Sequence, residues 1–264
     1  MKVINPAERL LKSLGVTEPA EIDLEAIAYD QGAEVRYCNL CGCEADILGY
    51  KNRAIISVDE NKAPQRKRFS IAHELGHWHY HRGKRLQCRI EEYQPKQKIQ
   101  AERVANGYAA SLLLPHYLVL PRARDRKQLN FKVIEEFARD FHTSLPATAI
   151  RLVEADIWPC MLVCHTRTGR RWFTQAPMFH RRWFPRDELD AQSSAFDTLF
   201  GKSEGGSVRQ LIGADAWFDR NEAQRYEIFE QAKRINSDEV LVLLTIKDNK
   251  MIEEEPEWSN RRRY

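Results

Sequence analysis

Four histidines crowd one short segment of the chain, RFSIAHELGHWHYHRG, which covers residues 68–83. They are His73, His77, His79 and His81, half of the eight histidines in the sequence. Neutral imidazole is a frequent ligand of transition metals in proteins. The first question is therefore whether some of these rings can bind the same metal ion.

His73 and His77 are four residues apart, and Glu74 directly follows the first of them. On an α-helix, residues i and i+4 lie on one face, so both rings can approach one zinc ion at about 2.0–2.1 Å. Glu74 is rotated from His73 by about 100° and leaves that face. It is placed for a general base that takes a proton from a water molecule at the metal. The pattern H-E-x-x-H thus predicts a zinc-dependent hydrolase.

The other residues of the segment have different expected roles. His81 is eight residues from His73, about 12 Å along a helix, so both cannot bind one ion. We expect His81 at the helix end or as a hydrogen-bond donor, and His79 on the surface. Gly76 lowers helix stability by about 1 kcal/mol relative to Ala. A close backbone neighbour, such as a strand or a bound substrate, would explain its presence.

A catalytic zinc site needs a third protein ligand and leaves its fourth position to water. The candidate is Glu102 on the next helical pattern, KIQAERVANGYAASLLLP (98–115), where it lies among alanines. The residues alone leave an alternative open, in which Glu102 faces solvent and pairs with Arg103 or Lys98. Asn106, one turn further on, could hydrogen-bond a ligand or the backbone of a substrate.

Elements that must position these residues are visible on both sides of the histidines. PAERLLKSLG and DLEAIAYDQG predict helices that stop at glycine, whereas EVRYCNL and RAIISV predict strands. The histidine helix is expected from Pro64–Gln65 to about Gly83. FKVIEEFARDF and LPATAIRLVEA, separated by HTS, predict two short helices that resemble a helix-turn-helix.

The composition changes after Trp158–Pro159, and we expect a domain boundary near 156–160. CMLVCHTRTGRRWFTQAPMF predicts two strands around a Thr-Gly turn, and EVLVLLTI (239–246) predicts a buried strand. DELDAQSSAFDTLFG and NEAQRYEIFEQAKRI predict helices. The tail EEEPEWSNRRRY is expected to be loosely ordered.

Composition excludes several protein classes. Of the 264 residues, 43% are hydrophobic and 30% are charged, which is ordinary for a soluble globular protein. No apolar run approaches the roughly 18 residues that span a bilayer, so no membrane partner is expected. The first residues lack the apolar core of a signal peptide, and we expect a cytoplasmic protein. In such a chain the six cysteines do not predict a disulfide framework.

The motifs around the histidines resemble a known family. RFSIAHELGHWHYH, followed by AERVANGYAASLLLP and the two short helical patterns, is similar to the ImmA/IrrE family of metallopeptidases. RYCNLCGCEADILGYKNRAIISVDE resembles the strand region that precedes the metal-binding helix of that family. The likeness covers roughly residues 5–155, with both helices in the same order and spacing. It departs at Gly107–Tyr108, where a larger polar residue followed by Phe is expected.

The resemblance implies a zincin-like fold in which His73, His77 and Glu102 hold Zn2+ and Glu74 is the catalytic base. Family members are bacterial and phage regulatory proteases that typically cleave a helix-turn-helix transcriptional repressor. Cleavage of the repressor allows transcription of genes for stress response or mobile-element transfer. The resemblance therefore implies such a repressor as partner and a role in transcription regulation. In one branch a helix-turn-helix-like segment precedes a GAF-like domain, which residues 131–154 and 159–247 could match.

The expected fold class is therefore α+β. A zincin-like metallopeptidase domain is expected at residues 1–128 and a helix-turn-helix-like helical segment at 129–157. A small α+β C-terminal domain is expected at 158–250, with a GAF- or PAS-like fold as one candidate for it. A tail is expected at 251–264.

A rival interpretation is a non-catalytic regulatory binding protein, with a structural zinc site, that contacts a repressor or DNA. Segment 131–154 could bind DNA through its second helix, but Arg151 is nearly its only basic residue there. A role in packing, or in gripping the protein substrate, is favoured. The net charge of +3 does not indicate a nucleic-acid partner, and the basic runs at 122–127, 180–186 and 261–263 favour solvated surface.

Three cysteines form a C-x-x-C-x-C pattern, namely Cys38, Cys41 and Cys43. A structural zinc site would need a fourth ligand, and none lies at an obvious spacing. Buried or half-exposed thiols in a strand turn are therefore favoured. A further hypothesis is that a thiolate from this loop approaches the catalytic zinc and blocks it until the thiolate is oxidised.

Overall fold

The structure, a computed structural model, describes residues 5–81, 86–87, 95–201 and 206–253. It is an α+β fold, as predicted, with two β-sheets in the described ranges. The chain divides into two compact units. The first consists of Met1–Arg122 with Glu136–Thr148, and the second of Ala123–Glu135 with Ala149–Tyr264. The domain limits expected at 128, 157 and 250 stay predictions.

The first unit contains a four-stranded sheet. Its strands are β1 (Ala33–Cys38), β2 (Ala45–Tyr50), β3 (Arg53–Asp59) and β4 (Leu86–Gln87). They lie in the order β1-β3-β2-β4, with β1 parallel to β3 and β2 antiparallel to both of its neighbours. Ile47, Ile56 and Val58 are buried on one face of this sheet. The patterns predicted β1 and β3, whereas β2 is a strand that they did not single out.

Five helices accompany this sheet in the chain, and the second and third of them contact its strands. They are α1 (Pro6–Ser13), α2 (Leu24–Asp30), α3 (Pro64–His81), α4 (Pro95–Leu113) and α5 (His116–Arg124). Four of these five helices were predicted from the sequence. Helix α5 was not predicted; it contains Pro121, and proline is disfavoured inside helices. Helix α3 contacts β2, β3 and α4, so its residues Ile71, Ala72, Leu75 and Trp78 are all buried. The long histidine helix is thereby held from several sides.

Two short helices follow, α6 (Phe131–Asp140) and α7 (Leu145–Glu154). Both were predicted, and the turn between them contains His142 at a φ of 52°. Arg151 of α7 is buried, with 7% of its surface exposed. The likeness of this pair to a helix-turn-helix stays a prediction.

The second unit contains a five-stranded antiparallel sheet. Its strands are β5 (Cys160–Thr166), β6 (Gly169–Gln175), β7 (Gln210–Gly213), β8 (Glu227–Asn236) and β9 (Glu239–Ile246), in the order β6-β5-β9-β8-β7. The hairpin of β5 with β6 and the buried strand β9 confirm the predictions for those segments. Helix α8 (Ser194–Phe200) covers only the second half of the helix predicted from DELDAQSSAFDTLFG.

The prediction of a helix from NEAQRYEIFEQAKRI is wrong. A short 3-10 helix at Asn221–Arg225 is followed there by β8. Alternate residues of β8, including Ile228, Glu230 and Ala232, are buried, and the strand pairs with both β7 and β9. Pairing with neighbours distant in sequence therefore outweighs the local helical preference of this segment.

Two other predictions concern the surface and the tail. The basic run at 180–186 is not simply solvated, because Trp183 is fully buried and Arg182 and Arg186 are half-buried. A short helix, α9 (Lys250–Glu253), enters the segment expected to be a tail, and residues 254–264 lie outside the described residues. In the described part of the chain, no helix combines the length and apolarity needed to cross a bilayer.

Candidate metal centre

Three side chains from α3 and α4 converge in the first unit. The Nε2 atoms of His73 and His77 are 3.1 Å apart. One carboxylate oxygen of Glu102 lies 3.3 Å from Nε2 of His73, and the other lies 3.4 Å from Nε2 of His77. Within the described ranges, this is the one group of three or more histidine, cysteine or acidic residues whose ligand atoms all lie within 4.8 Å of one another.

These separations match the dimensions of a metal site. Zinc binds nitrogen and carboxylate oxygen at about 2.0–2.2 Å, so neighbouring corners of a tetrahedron around it lie roughly 3.3–3.5 Å apart. The two nitrogens are 3.1 Å apart, and each lies 3.3 or 3.4 Å from a different oxygen of the Glu102 carboxylate, so all three separations are close to that value. The cluster therefore fits a divalent metal ion, while the roles assigned to the individual residues stay predictions.

Glu102 had two open interpretations. Its carboxylate faces the two imidazoles, and 43% of the side chain is exposed. The arrangement is consistent with a ligand that also borders open solvent.

Asn106 hydrogen-bonds the ring nitrogen of His73 that does not face the cluster. Its Oδ1 atom lies 3.0 Å from Nδ1 of His73. Because an amide oxygen can only accept, Nδ1 carries the proton, and Nε2 keeps its lone pair for the cluster. The side chain of His73 is 16% exposed, whereas Asn106 is an exposed residue, so this hydrogen bond lies at the surface. Asn106 thus selects the tautomer that a metal ligand requires.

His77 is kept neutral by its surroundings. It is 8% exposed, and burial lowers its pKa to about 4, with the neighbouring His73 acting in the same direction and Glu102 opposing it. A neutral ring has a lone pair available for a metal at neutral pH. Burial therefore prepares His77 to bind a metal, as the hydrogen bond that His73 donates to Asn106 prepares His73.

The remaining histidines of α3 lie outside the cluster. His81 is the last residue of α3, and its Nδ1 donates to the backbone carbonyl of His77 at 3.1 Å. His79 is exposed and stacks on Tyr108, with ring centroids 5.2 Å apart. Both positions agree with the roles expected from the sequence.

Glu74 is buried beside the cluster without joining it. The residue is 4% exposed, and its Oε2 atom has no hydrogen-bond partner among the described residues. Burial raises the pKa of this carboxyl to about 8, and the charges of Asp46 and Glu102 raise it further in the same direction. An unpartnered buried carboxyl oxygen costs about 1–3 kcal/mol. A water molecule or a substrate group would supply the missing partner.

Asp46 was not singled out by the sequence. It lies on β2, half-buried, and its charge acts on both Glu74 and the thiol of Cys43. Nothing in the local pattern of EADILGY marks it, because its nearness to Glu74 arises only when β2 packs against α3. It adds negative charge to the surroundings of the buried carboxyl.

Gly76 allows the two helices that carry the cluster to approach closely. A Cβ atom at this position would lie 2.9 Å from the Cα of Ala105 and 3.1 Å from the Cβ of Tyr108. The expectation of a close backbone neighbour is thus confirmed. That neighbour is helix α4, and neither a strand nor a substrate is needed to explain the glycine.

The cysteine loop contributes free thiols. Cys41 and Cys43 are exposed and Cys38 is half-buried, and in the described residues they form no group with metal-binding geometry. Burial raises the pKa of the Cys43 thiol, and Asp46 and Glu74 raise it further. The thiol form is therefore favoured at neutral pH in the absence of a metal. Blockage of the site by a thiolate stays a hypothesis.

Comparisons with known proteins agree with this site. Residues 28–153 match the family model of the IrrE N-terminal-like domain of M78 peptidases. Among solved structures, the fold is similar to that of a Mycobacterium tuberculosis transcriptional regulator, with a TM-score of 0.60 and 16% sequence identity over 91% of this chain and 74% of that chain. At this identity the likeness concerns the fold alone. Comparison with curated proteins gave no significant match.

The matched residues include all of β1, β2, β3, α3 and α4, and therefore the whole cluster and Glu74. The family is one of metallopeptidases, which agrees with a possible metal site built from two histidines and a glutamate. Residues 28–153 thus form an IrrE N-terminal-like domain, which supports the resemblance to the ImmA/IrrE family.

Proposed function

We propose that the chain is a zinc-dependent endopeptidase that cleaves a protein partner. The observation that carries the proposal is the cluster of His73, His77 and Glu102, whose ligand atoms lie 3.1–3.4 Å apart. The cluster is close enough to the buried carboxyl of Glu74 for the charge of Glu102 to raise the pKa of that carboxyl. The match of residues 28–153 to a metallopeptidase family also supports it.

In this proposal His73 and His77 bind Zn2+ through their Nε2 atoms, and Glu102 binds it through its carboxylate. Two histidines and one glutamate are a ligand set of catalytic zinc sites, which keep one position for water or substrate. A bound zinc ion supplies a Lewis acid that polarises the scissile carbonyl and makes water more acidic. The remaining chemistry falls to the side chains of the protein.

Glu74 is the general base of the proposed reaction. It takes a proton from the attacking water and then donates that proton to the nitrogen of the leaving amine. Both steps require a carboxyl whose pKa lies near the working pH, and burial raises the pKa of Glu74 to about 8. A divalent cation nearby would lower that pKa towards neutrality. Asn106 keeps His73 in the required tautomer throughout.

The proposed substrate is a helix-turn-helix transcriptional repressor or a similar protein, and the proposed role is regulatory, in stress response or transcription control. The family resemblance supports this substrate class. The structural neighbour is a transcriptional regulator, which is compatible with this substrate class. A zincin-like arrangement of the first unit and a cytoplasmic location belong to the same proposal.

Helices α6 and α7 are proposed to pack or to grip the substrate, as a helix-turn-helix-like segment without DNA-binding function. Arg151, nearly the only basic residue of the second helix, is only 7% exposed and is poorly placed to reach a phosphate. The sheet of the second unit is proposed to belong to a GAF- or PAS-like sensor domain.

The deciding experiment combines the zinc-loaded chain with a small helix-turn-helix repressor encoded beside its gene. We expect the wild-type chain to cleave the repressor at one or few sites, detected by mass spectrometry of the fragments. Glu74→Gln should keep zinc and lose cleavage, whereas His73→Ala should lose both. Cleavage by Glu74→Gln at the wild-type rate would refute the mechanism.

The alternative is a non-catalytic regulatory protein with a structural zinc site. Structural zinc sites usually have four protein ligands, and the cluster has three among the described residues. The unpartnered carboxyl oxygen of Glu74 also has no use in a purely structural site. Regulation that persists in the Glu74→Gln variant would favour this alternative.

A further inference from the structure

The second unit contains a cleft with a volume of about 630 Å3. Four arginines line it, namely Arg170, Arg182, Arg186 and Arg220, together with four acidic residues. Two of these arginines come from the basic run at 180–186, and Arg170 comes from β6. The cleft therefore gathers side chains from segments that are separate in sequence. It has no part in the peptidase site proposed above.

Arg170 is held in a fixed orientation at this cleft. Its guanidinium carbon lies 4.5 Å from the ring centre of Phe184 and 5.3 Å from that of Phe173. Its Nη1 donates to the backbone carbonyl of Pro185, and only 15% of the side chain is exposed. An arginine fixed between two rings keeps its planar donor fork ready for a planar or tetrahedral anion.

The acidic partners of two arginines are loose. Nη2 of Arg170 lies 3.8 Å from Asp187, and Nη2 of Arg186 lies 3.8 Å from Asp219, distances too long for hydrogen bonds. The carboxylates are exposed over 72% and 95% of their side chains. Ion pairs between exposed groups contribute little to stability. A better-placed anion can therefore replace these carboxylates with little loss of stability.

Two buried donors at the cleft have no partner. The Nε atoms of Arg182 and Arg186 are shielded from solvent and make no hydrogen bond to any described residue. A buried N–H group without an acceptor is unfavourable, and a charged one is more so. These two guanidinium groups are therefore incompletely hydrogen-bonded within the described residues.

We propose that this cleft binds a small organic anion whose carboxylate or phosphate group is held by Arg170 and Arg186. The exposed ring of Phe184, of which 57% is accessible, packs against the apolar part of the ligand. The volume lies within the range of small-molecule sites, about 300–1,000 Å3, and exceeds what an inorganic ion needs. Four acidic residues among the lining side chains disfavour a polyanion such as nucleic acid.

The test is isothermal titration calorimetry of the full chain with benzoate, phenyl phosphate and benzyl alcohol, three probes with the same ring. We expect at least one anion to bind with a Kd of about 1 mM or tighter, and benzyl alcohol not to bind. Binding of benzoate alone assigns a carboxylate ligand, and binding of phenyl phosphate assigns a phosphate ligand. If neither anion binds at about 10 mM, or if benzyl alcohol binds equally well, the proposal is wrong.

Two pairs of substitutions test whether the anions bind at this cleft. Asp219→Asn removes a competing carboxylate and should tighten anion binding severalfold, without affecting folding because the side chain is 95% exposed. Asp215→Asn removes the same charge from an exposed residue outside the cleft and should change nothing. Arg186→Gln should weaken binding about tenfold, and Arg181→Gln, at an exposed neighbouring position, should not.

Weaker anion binding in Asp219→Asn, or equal effects of Asp219→Asn and Asp215→Asn, would overturn the assignment to this cleft. Equal affinities of Arg186→Gln and Arg181→Gln would do the same. Circular dichroism checks that each variant is folded. If Arg186→Gln does not fold, the sign of the change in Asp219→Asn decides alone.

Discussion

Gly76 of α3 lies so close to Ala105 of α4 that an added Cβ would be 2.9 Å from the Cα of the alanine. Carbon atoms in contact normally lie about 3.5–4.0 Å apart. Helix α3 carries His73 and His77, and α4 carries Glu102. The spacing of these helices therefore sets the distance between the imidazoles and the carboxylate.

A methyl group at Gly76 should separate the helices and weaken metal binding. For Gly76→Ala we expect the zinc affinity to fall at least about tenfold, although Ala favours a helix by about 1 kcal/mol. The free energy of unfolding of the metal-free chain should fall by about 1–3 kcal/mol, as in other overpacked cores. Competition with a zinc chelator and urea unfolding measure the two effects.

Gly107 of α4 provides a matched control. A Cβ at this position would meet nothing within 4 Å. Gly107→Ala should therefore leave zinc affinity unchanged and raise the free energy of unfolding by up to about 1 kcal/mol. Equal zinc affinities of Gly76→Ala and Gly107→Ala would show that helix spacing does not control the site.

The hydrogen bond between Asn106 and His73 should control metal affinity through the tautomer of the ring. Asn106→Ala removes the acceptor at 3.0 Å from Nδ1, and we expect zinc affinity to fall about 10–100-fold. Asn106→Asp keeps an acceptor at this position and should bind zinc within about tenfold of the wild type. An alanine variant that binds zinc as tightly as the wild type would contradict this role. Chelator competition at several pH values measures these affinities.

Glu102 should be required for metal binding and dispensable for folding. Its side chain is 43% exposed, so Glu102→Ala should unfold at nearly the same urea concentration as the wild type in the absence of metal. Its zinc content after equilibrium dialysis should fall from about one ion per chain to a small fraction. Arg103→Ala, a change at the exposed neighbouring residue, should keep full zinc content. Full zinc content in Glu102→Ala would exclude this carboxylate as a ligand.

The site could be predicted mainly where local spacing determines geometry. The positions of His73 and His77 on one helical face follow from the period of the α-helix, and the small residues around Glu102 indicate a closely packed second helix. Asp46 could not be found in this way, because its effect on Glu74 depends on how a strand packs against a helix. The sequence did not identify Arg170 and Arg186 as part of one site for the same reason, because they come together only in the folded second unit.

The fold shows the same limit. The strand β9 contains the continuous apolar run VLVLL, so it can be recognised without its neighbours. Strand β8 contains Glu230, Gln231 and Lys233 in a helix-like pattern. It becomes a strand because it pairs with β7 and β9, and such pairing is not encoded in any short window. Local patterns therefore predict elements better when burial is uniform along the segment.

We expect His165 to make the free energy of unfolding of the chain depend on pH. This residue of β5 is fully buried, and neither ring nitrogen has a hydrogen-bond partner among the described residues. Its ring packs edge-on against Trp217, with centroids 5.6 Å apart. Burial lowers the pKa of His165 to about 4, with Arg170 adding to the effect and Asp187 opposing it. The folded chain therefore keeps this ring neutral at a pH where the unfolded chain protonates it.

The direction of the effect follows from proton binding. Between about pH 6.5, the ordinary value for histidine, and pH 4, the unfolded state binds a proton that the folded state does not. Stability is therefore complete above about pH 6.5 and falls as the pH is lowered to 4, by up to about 3 kcal/mol from this residue. Urea unfolding at a series of pH values should show a flatter profile for His165→Phe, which keeps an aromatic ring in place. His180→Gln, at an exposed histidine, should retain the wild-type slope, and identical slopes for all three proteins would show that His165 is not the titrating group.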